Sequence, residues 1–389
     1  MRKTTIPKKG NGMMQMFLAM LILVLFLLTA CENKKTIMIQ IEDTEADSYP
    51  YDQSSFESFI TTKQAIYCRR DGVVLFCPTG AREFIPLCGK PDCAHNSGEC
   101  NAWVGFGSGL GYYKNRLFAV ISERNKGSDN LLVSMKLDGT DRREVLELPA
   151  LIAPDGSRGG MYYYVLADGR LFCTANYSDE IPYEDRIQHF FVVDLDTLEC
   201  TEPFAEELAR HTEITWDYKP LSDQLYATCV FTEENGKQES WFSQLDLTDG
   251  SVQKLFQNEA GGEYVQDNTI YYFDPEHGFR EFDLKTMNIN DCASGVSGMY
   301  WAKRWGNMII GGRPRNDDRE NTTIYFFDLD YQLVDQLVLH DGLWPVYYGE
   351  EALFFSNTGT AINAPISAYL ERSAVGSGKV ELLPCGKGN

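Results

Sequence analysis

Residues 170–197, RLFCTANYSDEIPYEDRIQHFFVVDLDT, decide the fold class of this chain. The segment contains two short apolar runs rich in aromatic and β-branched residues, which predict two β-strands joined by a polar loop. The first run begins with RLF at 170–172, and the second ends in the polar turn DLDT at 194–197. Both features recur along the chain, so the segment describes one copy of a repeated unit.

The start of the first strand recurs as an apolar pair, and the turn recurs around Asp-Leu. The strand starts are VLF at 74–76, RLF at 116–118, RLF at 170–172, QLY at 224–226, TIY at 269–271, NMI at 307–309 and ALF at 352–354. The turns are KLDGT at 136–140, DLDT at 194–197, DLTDG at 246–250, DLKT at 283–286 and DLD at 328–330. From Asp194 onward, successive turns begin 52, 37 and 45 residues apart.

A period of about 40–50 residues with three or four strands per unit is the spacing of a β-propeller blade. One small twisted sheet cannot bury both of its faces, whereas blades packed around an axis bury each face against a neighbour. The sequence predicts an all-β propeller of seven blades, with six or eight as alternatives because one unit is short and the C-terminal strand is a candidate for completing the first. A β-sandwich or two small β domains is the other alternative. The predicted blades are 56–88, 103–149, 160–204, 214–257, 263–293, 299–340 and 346–385.

The first thirty residues have the order of a signal peptide. Four basic residues within positions 2–9 precede the uncharged apolar run 16–28, which is shorter than the roughly 20 residues of a spanning helix. The sequence LTAC at 28–31 resembles the lipobox of bacterial lipoproteins, and this resemblance implies lipid attachment at Cys31, cleavage before it, and palmitate-type acyl chains as the membrane anchor. The alternative is an uncleaved anchor helix.

Three segments follow from this interpretation. We expect a lipoprotein signal peptide at 1–30, a lipid-anchored flexible tether at 31–55, and a propeller domain at 56–389. Loss of residues 1–30 removes four basic and no acidic residues, which changes the formal charge from −21 to −25. Because such a surface repels phosphates, nucleic acid is not an expected partner. The predicted partners are a lipid membrane through Cys31 and an unknown extracellular protein, peptide or glycan, with the domain on the outside of the cell.

The repeats and the lipobox together resemble the propeller lipoproteins of anaerobic Firmicutes, whose repeats are similar to TolB-like and quinoprotein-like propellers. The resemblance implies a surface-exposed propeller and no particular reaction. The chain has no WD-repeat signature, sialidase Asp-box or kelch double-glycine array.

The patch CGKPDCAHNSGEC at 88–100 is the most informative local feature. Three thiols and an imidazole within thirteen residues provide the four soft or borderline ligands that zinc prefers. The spacing C-x4-C-x-H-x4-C differs from that of common zinc sites. The predicted location outside the cell also suits a disulfide of Cys93 with Cys100, or of Cys88 with either. Three alternatives stay open: a disulfide, a zinc site formed by Cys88, Cys93, His95 and Cys100, or unreactive thiols.

The remaining cysteines also bear on disulfides. Setting Cys31 aside leaves ten, an even number that suits pairing outside the cytoplasm. If the ring closes, Cys385 in the last strand lies beside the first unit and is a candidate partner for Cys68 or Cys77.

No catalytic motif is found in the sequence. The chain lacks G-x-S-x-G, and its five histidines are isolated from other catalytic residue types except for His95. Trp103 and Trp305 lie near turns, and such flat aromatic faces stack on sugars and extended peptides. Three further tryptophans recur near unit starts and indicate blade packing instead: Trp216, Trp301 and Trp344.

The leading functional hypothesis is a cell-surface module that binds or scaffolds a protein, peptide or glycan through one end of the propeller. One alternative is an extracellular lyase or glycosidase-like enzyme that uses carboxylates of the channel. The other is a structural or assembly partner of envelope proteins, which a broad exposed apolar patch would favour.

Overall fold

A computed structural model describes most of the chain from residue 59 to residue 385. The described ranges are 59–105, 109–121, 130–149, 160–176, 188–204, 212–214, 219–221, 223–233, 236–257, 264–266, 268–274, 277–293, 299, 301–315, 318–357 and 366–385. The predicted signal peptide, the predicted tether and Cys31 lie outside them. Within these ranges the secondary structure is strands and one 3-10 turn, Arg372–Ala374, with no α-helix and no helical segment of the length and apolarity needed to cross a bilayer.

The strands form seven small antiparallel sheets arranged in a ring, a seven-bladed β-propeller. Blade 1 contains β1 (Ile60–Thr61), β2 (Ala65–Arg70), β3 (Val73–Pro78) and β4 (Ile85–Pro86). Blade 2 contains β5 (Gly111–Tyr113), β6 (Arg116–Ile121), β7 (Leu131–Lys136) and β8 (Arg143–Glu147). Blade 3 contains β9 (Gly160–Ala167), β10 (Arg170–Asn176), β11 (His189–Asp194) and β12 (Cys200–Thr201).

The other four blades follow the same plan. Blade 4 contains β13 (Thr212–Ile214), β14 (Lys219–Leu221), β15 (Gln224–Thr232), β16 (Gln238–Asp246) and β17 (Val252–Gln257). Blade 5 contains β18 (Tyr264–Gln266), β19 (Thr269–Asp274), β20 (Gly278–Asp283) and β21 (Asn288–Ala293). Blade 6 contains β22 (Trp301–Trp305), β23 (Met308–Arg315), β24 (Asp318–Phe327) and β25 (Leu333–Leu339). Blade 7 contains β26 (Leu343–Tyr348), β27 (Ala352–Asn357), β28 (Ile366–Glu371) and β29 (Leu383–Pro384).

The prediction of an all-β, seven-bladed propeller is confirmed, and the short unit at 263–293 is a complete blade of four strands. The alternative in which the C-terminal strand completes the first unit is wrong, because β29 pairs with β28 in blade 7, within the predicted unit 346–385. The second unit does not begin at residue 103, because Trp103 forms a bridge with Val73 of blade 1 and the first strand of blade 2 starts at Gly111.

The recurring apolar pair packs the blades against one another. Leu171 belongs to a buried cluster shared with blade 2, and its neighbour Phe172 belongs to a cluster shared with blade 4. Likewise Leu353 packs toward blade 6 and Phe354 toward blade 1. Since consecutive side chains of a strand point to opposite faces, one apolar pair buries both faces of its sheet. This geometry is the physical reason for the repeat.

The Asp-Leu turns close the hairpins between the third and fourth strands of a blade. In blade 3, Oδ1 of Asp194 accepts hydrogen bonds from the backbone N–H of Asp196 at 2.9 Å and of Thr197 at 2.8 Å. Asp283 of blade 5 binds the N–H groups of Lys285 and Thr286 in the same way. These aspartates therefore satisfy the backbone of their own turns, as short Asx side chains do.

Candidate metal centre

The cysteine and histidine patch is an insertion in the outermost strand of blade 1. In β4, Ile85 lies opposite Phe76 and Pro86 opposite Leu75, and the backbone N–H of Leu87 then donates to the carbonyl oxygen of Val74 at 2.9 Å. The next position along β3, Val73, is opposite Trp103 instead of residue 88. Residues 88–102 therefore leave the strand and return to it at the adjacent register position.

Both ends of this insertion meet at Val74. Its carbonyl oxygen accepts from the N–H of Leu87, and its own N–H donates to the carbonyl oxygen of Ala102 at 2.8 Å. The N–H of Val104 then donates to the carbonyl oxygen of Gly72 at 2.7 Å. Because these bonds fix both ends, Cys88 and Cys100 lie near one another at the base of the loop.

Tight turns fold the loop back over its base. The N–H of Cys93 donates to the carbonyl oxygen of Lys90 at 3.3 Å, and the N–H of Cys100 donates to that of Ser97 at 3.0 Å. His95 has a φ of 53°, a left-handed conformation that reverses the chain between the two turns. The Lys90 ammonium closes the loop by donating to the carbonyl oxygen of Glu99 at 2.5 Å.

The structure brings all four predicted ligand residues together. The Sγ atoms of Cys88, Cys93 and Cys100 and a ring nitrogen of His95 all lie within 4.8 Å of one another. His95 Nδ1 is 3.3 Å from Cys100 Sγ. Tetrahedral zinc, with Zn–S of about 2.3 Å and Zn–N of about 2.0 Å, sets its ligand atoms roughly 3.5–3.8 Å apart. The four atoms thus need only small side-chain adjustments to bind one ion.

The donor set fits a structural metal site. Cys100 is buried, and Cys88, Cys93 and His95 are half-buried, so the protein surrounds the space between them without sealing it. Four protein ligands fill a tetrahedral shell and leave no position for substrate. The three thiols of the loop cannot all pair with one another as disulfides, because one bond among them leaves the third cysteine unpaired.

The three thiols differ in acidity. A hydrogen bond from the backbone N–H of His95 is the main cause that lowers the pKa of Cys93, with smaller contributions from Cys100, Cys88 and the charge of Lys90. Burial, with smaller contributions from Cys93 and Cys88, raises the pKa of Cys100 to about 11. Without metal, Cys93 is therefore the thiol that ionises more readily of these two.

Blade 2 contacts the loop from the other side, and no sequence motif predicts this contact. Gly139, in the KLDGT turn, has a φ of 77°, and a Cβ added to it would lie 2.4 Å from the carbonyl oxygen of Leu87. Arg142 donates to the carbonyl oxygen of Gly98 at 3.4 Å. The turn was recognisable as a repeat, but its contact with the residue preceding Cys88 depends on how the blades pack.

The candidate stacking tryptophans occupy different environments. Trp103 is half-buried and belongs to the returning strand at the base of the loop. Trp305 is fully buried, and its indole N–H donates to the carbonyl oxygen of Gly349. The structure therefore corrects the stacking role of Trp305, because a ring enclosed between blades 6 and 7 presents no face to a ligand. Trp301 packs against Trp344 with ring centroids 5.4 Å apart, as a blade-packing residue should.

The other polar groups do not assemble a catalytic site within the described residues. His189 Nδ1 lies 2.6 Å from a carboxylate oxygen of Glu202, and His277 Nδ1 lies 3.0 Å from one of Asp274, and both contacts are partly exposed. A polar cleft between blades 3 and 4 includes Asp194, whose carboxylate is held by its own turn. The shifted carboxyl pKa values are all lowered, so none of these groups resembles the protonated acid of a glycosidase.

The fold and this cluster define a seven-bladed β-propeller protein with a three-cysteine, one-histidine centre on its first blade. No known family profile matches the chain, and no curated protein matches its sequence. Several solved structures are similar in fold. One is an oligogalacturonate lyase in complex with manganese, with 13% identity and a TM-score of 0.45 over 67% of this chain and 72% of that one.

Two other solved structures are also similar in fold. BamB from Moraxella catarrhalis has 13% identity and a TM-score of 0.38 over 82% of both chains. A europium-containing methanol dehydrogenase has 9% identity and a TM-score of 0.48 over 85% of this chain and 78% of that one. Identities this low show a shared fold alone, and the function of this chain has to be inferred from its own residues.

Proposed function

We propose that this protein is a lipid-anchored surface module of the cell membrane, whose propeller binds or scaffolds an extracellular protein, peptide or glycan and whose first blade is held by a structural Zn²⁺. The carrying observation is the convergence of four ligand atoms within 4.8 Å at the base of the inserted loop. Three thiolates and a neutral imidazole give bound Zn²⁺ a net charge of −1, and the Lys90 ammonium lies across the same loop.

Zinc is the metal that this donor set favours. Thiolate and imidazole ligands in a four-coordinate shell are typical of structural zinc, whereas calcium and magnesium require oxygen ligands. Cys88 and Cys100 lie at the two ends of the loop, and Cys93 and His95 lie at its tip. The ion would thus connect the tip to the strand from which the loop departs.

Metal analysis of the soluble chain from residue 32 onward tests this proposal. We expect one zinc per chain, and loss of that zinc in Cys93→Ser and His95→Ala. Cys229→Ala, which removes a buried thiol of blade 4, is the matched control and should retain it. Zinc-free protein with two of the three loop cysteines joined in a disulfide would contradict the proposal.

The anchor is tested separately. We expect mass spectrometry of the membrane-extracted protein to find a diacylglyceryl group at Cys31, and Cys31→Ser to release the chain from the membrane fraction. Protease added to intact cells should digest the propeller only if the domain is outside. A chain that keeps residues 1–30 would support the uncleaved anchor helix instead.

The outer strand of blade 6 favours a protein as the ligand. β25 is the longest outer strand among those described, and its edge is not covered by another described strand. Leu333, Val334 and Val338 on it are exposed, as is Leu329 in the preceding turn. Exposed apolar residues on an open sheet edge are suited to binding an extended segment of another protein. This observation also favours the envelope assembly role over glycan binding.

Crosslinking on intact cells tests this surface. A photoreactive residue at Val338 should give a specific protein adduct, and the same residue at Ile289, an exposed position on the outer strand of blade 5, is the control. Equal adducts from both positions, or none from Val338, would contradict the proposal. Binding of a soluble glycan that is unaffected by Val338→Asp would favour the glycan alternative.

A further inference from the structure

The ring of this propeller closes without a shared strand. In many rings a strand from one terminus completes the sheet built by the other, but here β1 to β4 form one sheet and β26 to β29 form another, among the strands described. Side chains join blades 7 and 1. Phe59 stacks on Tyr347 with ring centroids 4.7 Å apart, and Arg82 pairs with Glu371 at 3.2 Å.

Three buried cysteines lie at this closure, Cys68 and Cys77 in blade 1 and Cys385 in blade 7. In blade 1, Cys77 lies opposite Ile66, and in an antiparallel pair both side chains point to the same face. That face also carries Leu75, and both Ile66 and Leu75 pack in the apolar cluster shared with blade 7. Cys385 belongs to the same cluster, and the backbone fixes its position, since its N–H donates to the carbonyl oxygen of Ser367 at 3.0 Å.

Arg82 lies near both thiols at this interface. Its guanidinium lies 5.5 Å from the ring centroid of Tyr369 in blade 7. Its charge lowers the pKa of Cys77 and of Cys385, although burial, the largest cause, raises both. Cys77 in turn raises the pKa of Cys385. Each thiol is thus within electrostatic reach of the same guanidinium, and Cys385 is within reach of Cys77.

We propose that Cys77 and Cys385 form a disulfide that closes the ring covalently. Each thiol loses one proton and one electron as the S–S bond forms, and the disulfide of an extracytoplasmic thiol–disulfide oxidoreductase accepts the electrons and becomes a dithiol. This inference rests on the proposed location outside the cytoplasm, where such oxidants act. The bond forms as blade 7 docks, because burial protects both thiols once the ring is closed.

Peptide mapping tests the pairing without any variant. Trypsin separates the three cysteines of this region, since Cys68 lies in peptide 64–69, Cys77 in 71–82 and Cys385 in 380–387. Full-length protein from membranes is alkylated while denatured and unreduced, then digested. We expect peptide 71–82 linked to 380–387, and release of both on reduction. The zinc ligands lie in a separate peptide, 83–114, so failure of the zinc proposal would be visible independently.

A second sample of the full-length protein is reduced, unfolded and refolded in detergent with oxidised glutathione. Alkylated Cys77 and Cys385 in both samples, or a link between 64–69 and 380–387 in either, overturns the proposal. If only the refolded sample contains the link between 71–82 and 380–387, the proposed location outside the cytoplasm is wrong, but the pairing of Cys77 with Cys385 is supported. We also expect reduction to lower the unfolding temperature of wild type by roughly 5–10 °C, and to leave Cys77→Ala and Cys385→Ala unchanged.

Discussion

Substitution of Gly139 by alanine tests whether blade 2 positions the metal loop. The residue has a φ of 77°, and the left-handed conformation costs a residue with a side chain about 1–2 kcal/mol. The new Cβ would lie 2.4 Å from the carbonyl oxygen of Leu87, so the backbone must retreat by about 1 Å to reach ordinary contact. Because Leu87 precedes Cys88, this movement separates one ligand from the other three.

Gly250 provides a matched control in blade 4. Its φ is 74°, and an added Cβ would lie 2.5 Å from the carbonyl oxygen of Pro203, a contact of the same kind that does not involve the metal loop. We expect Gly139→Ala and Gly250→Ala to lower the free energy of unfolding by a similar amount, about 2–4 kcal/mol, in zinc-free protein.

Only Gly139→Ala should also weaken zinc binding, by about tenfold or more, which is about 1.4 kcal/mol. Denaturant unfolding in the presence of a chelator measures the first quantity, and competition with a chromogenic zinc chelator measures the second. Wild-type zinc affinity in Gly139→Ala, or an equal loss of affinity in Gly250→Ala, would refute the coupling between this turn and the loop.

Four other perturbations have defined outcomes. Trp305→Ala should cost about 3–5 kcal/mol in denaturant unfolding, because it empties a large buried site, and a loss below about 1 kcal/mol would be inconsistent with that burial. In zinc-free protein, iodoacetamide should modify Cys93 at lower pH than Cys100, because a lowered pKa supplies thiolate at lower pH; tandem mass spectrometry of the peptide would reveal the reverse order. Phe354→Ala should destabilise the ring by about 3–5 kcal/mol, whereas Arg82→Gln should cost less than about 1 kcal/mol and become neutral at high salt.

The fold was predictable because the repeat has a simple physical cause. Leu171 and Phe172 are adjacent in sequence and pack on opposite sides of one sheet, so two-faced burial leaves a signature in two residues. The Asp194 turn is predictable for a similar reason, since its hydrogen bonds are local. Features that depend on residues close together in one strand or one turn can be recognised from sequence.

Features that depend on the neighbouring blade could not be recognised. Trp305 precedes a turn and suggested an exposed ring, but the packing of blades 6 and 7 encloses it. Arg69 gave no signal at all, although its buried guanidinium donates to the carbonyl oxygens of Val104, Gly105 and Val120. The metal ligands were identifiable by residue type, whereas their convergence follows from an insertion whose two ends meet at Val74.

The inserted loop and the proposed Cys77–Cys385 pair would both stabilise blade 1. Blade 1 has the shortest pair of edge strands among the described blades, because its inner strand β1 and its outer strand β4 have two residues each. The fourth strand continues only after residues 88–102, so the returning segment at Trp103 must be held in register by the base of the loop. A metal ion at that base would fix the outer edge of blade 1 beside blade 2.

On its other face, blade 1 meets blade 7 without a shared strand among the described residues, and the proposed Cys77–Cys385 bond lies at that contact. The two cross-links would therefore secure opposite faces of the blade with the least backbone pairing of its own. If they act together, removal of zinc and reduction should each expose the same peptides of blade 1 to hydrogen exchange, and the two treatments combined should expose them more than either alone. Hydrogen exchange that instead begins in blades 3 to 5 would show that the ring does not open at its closure.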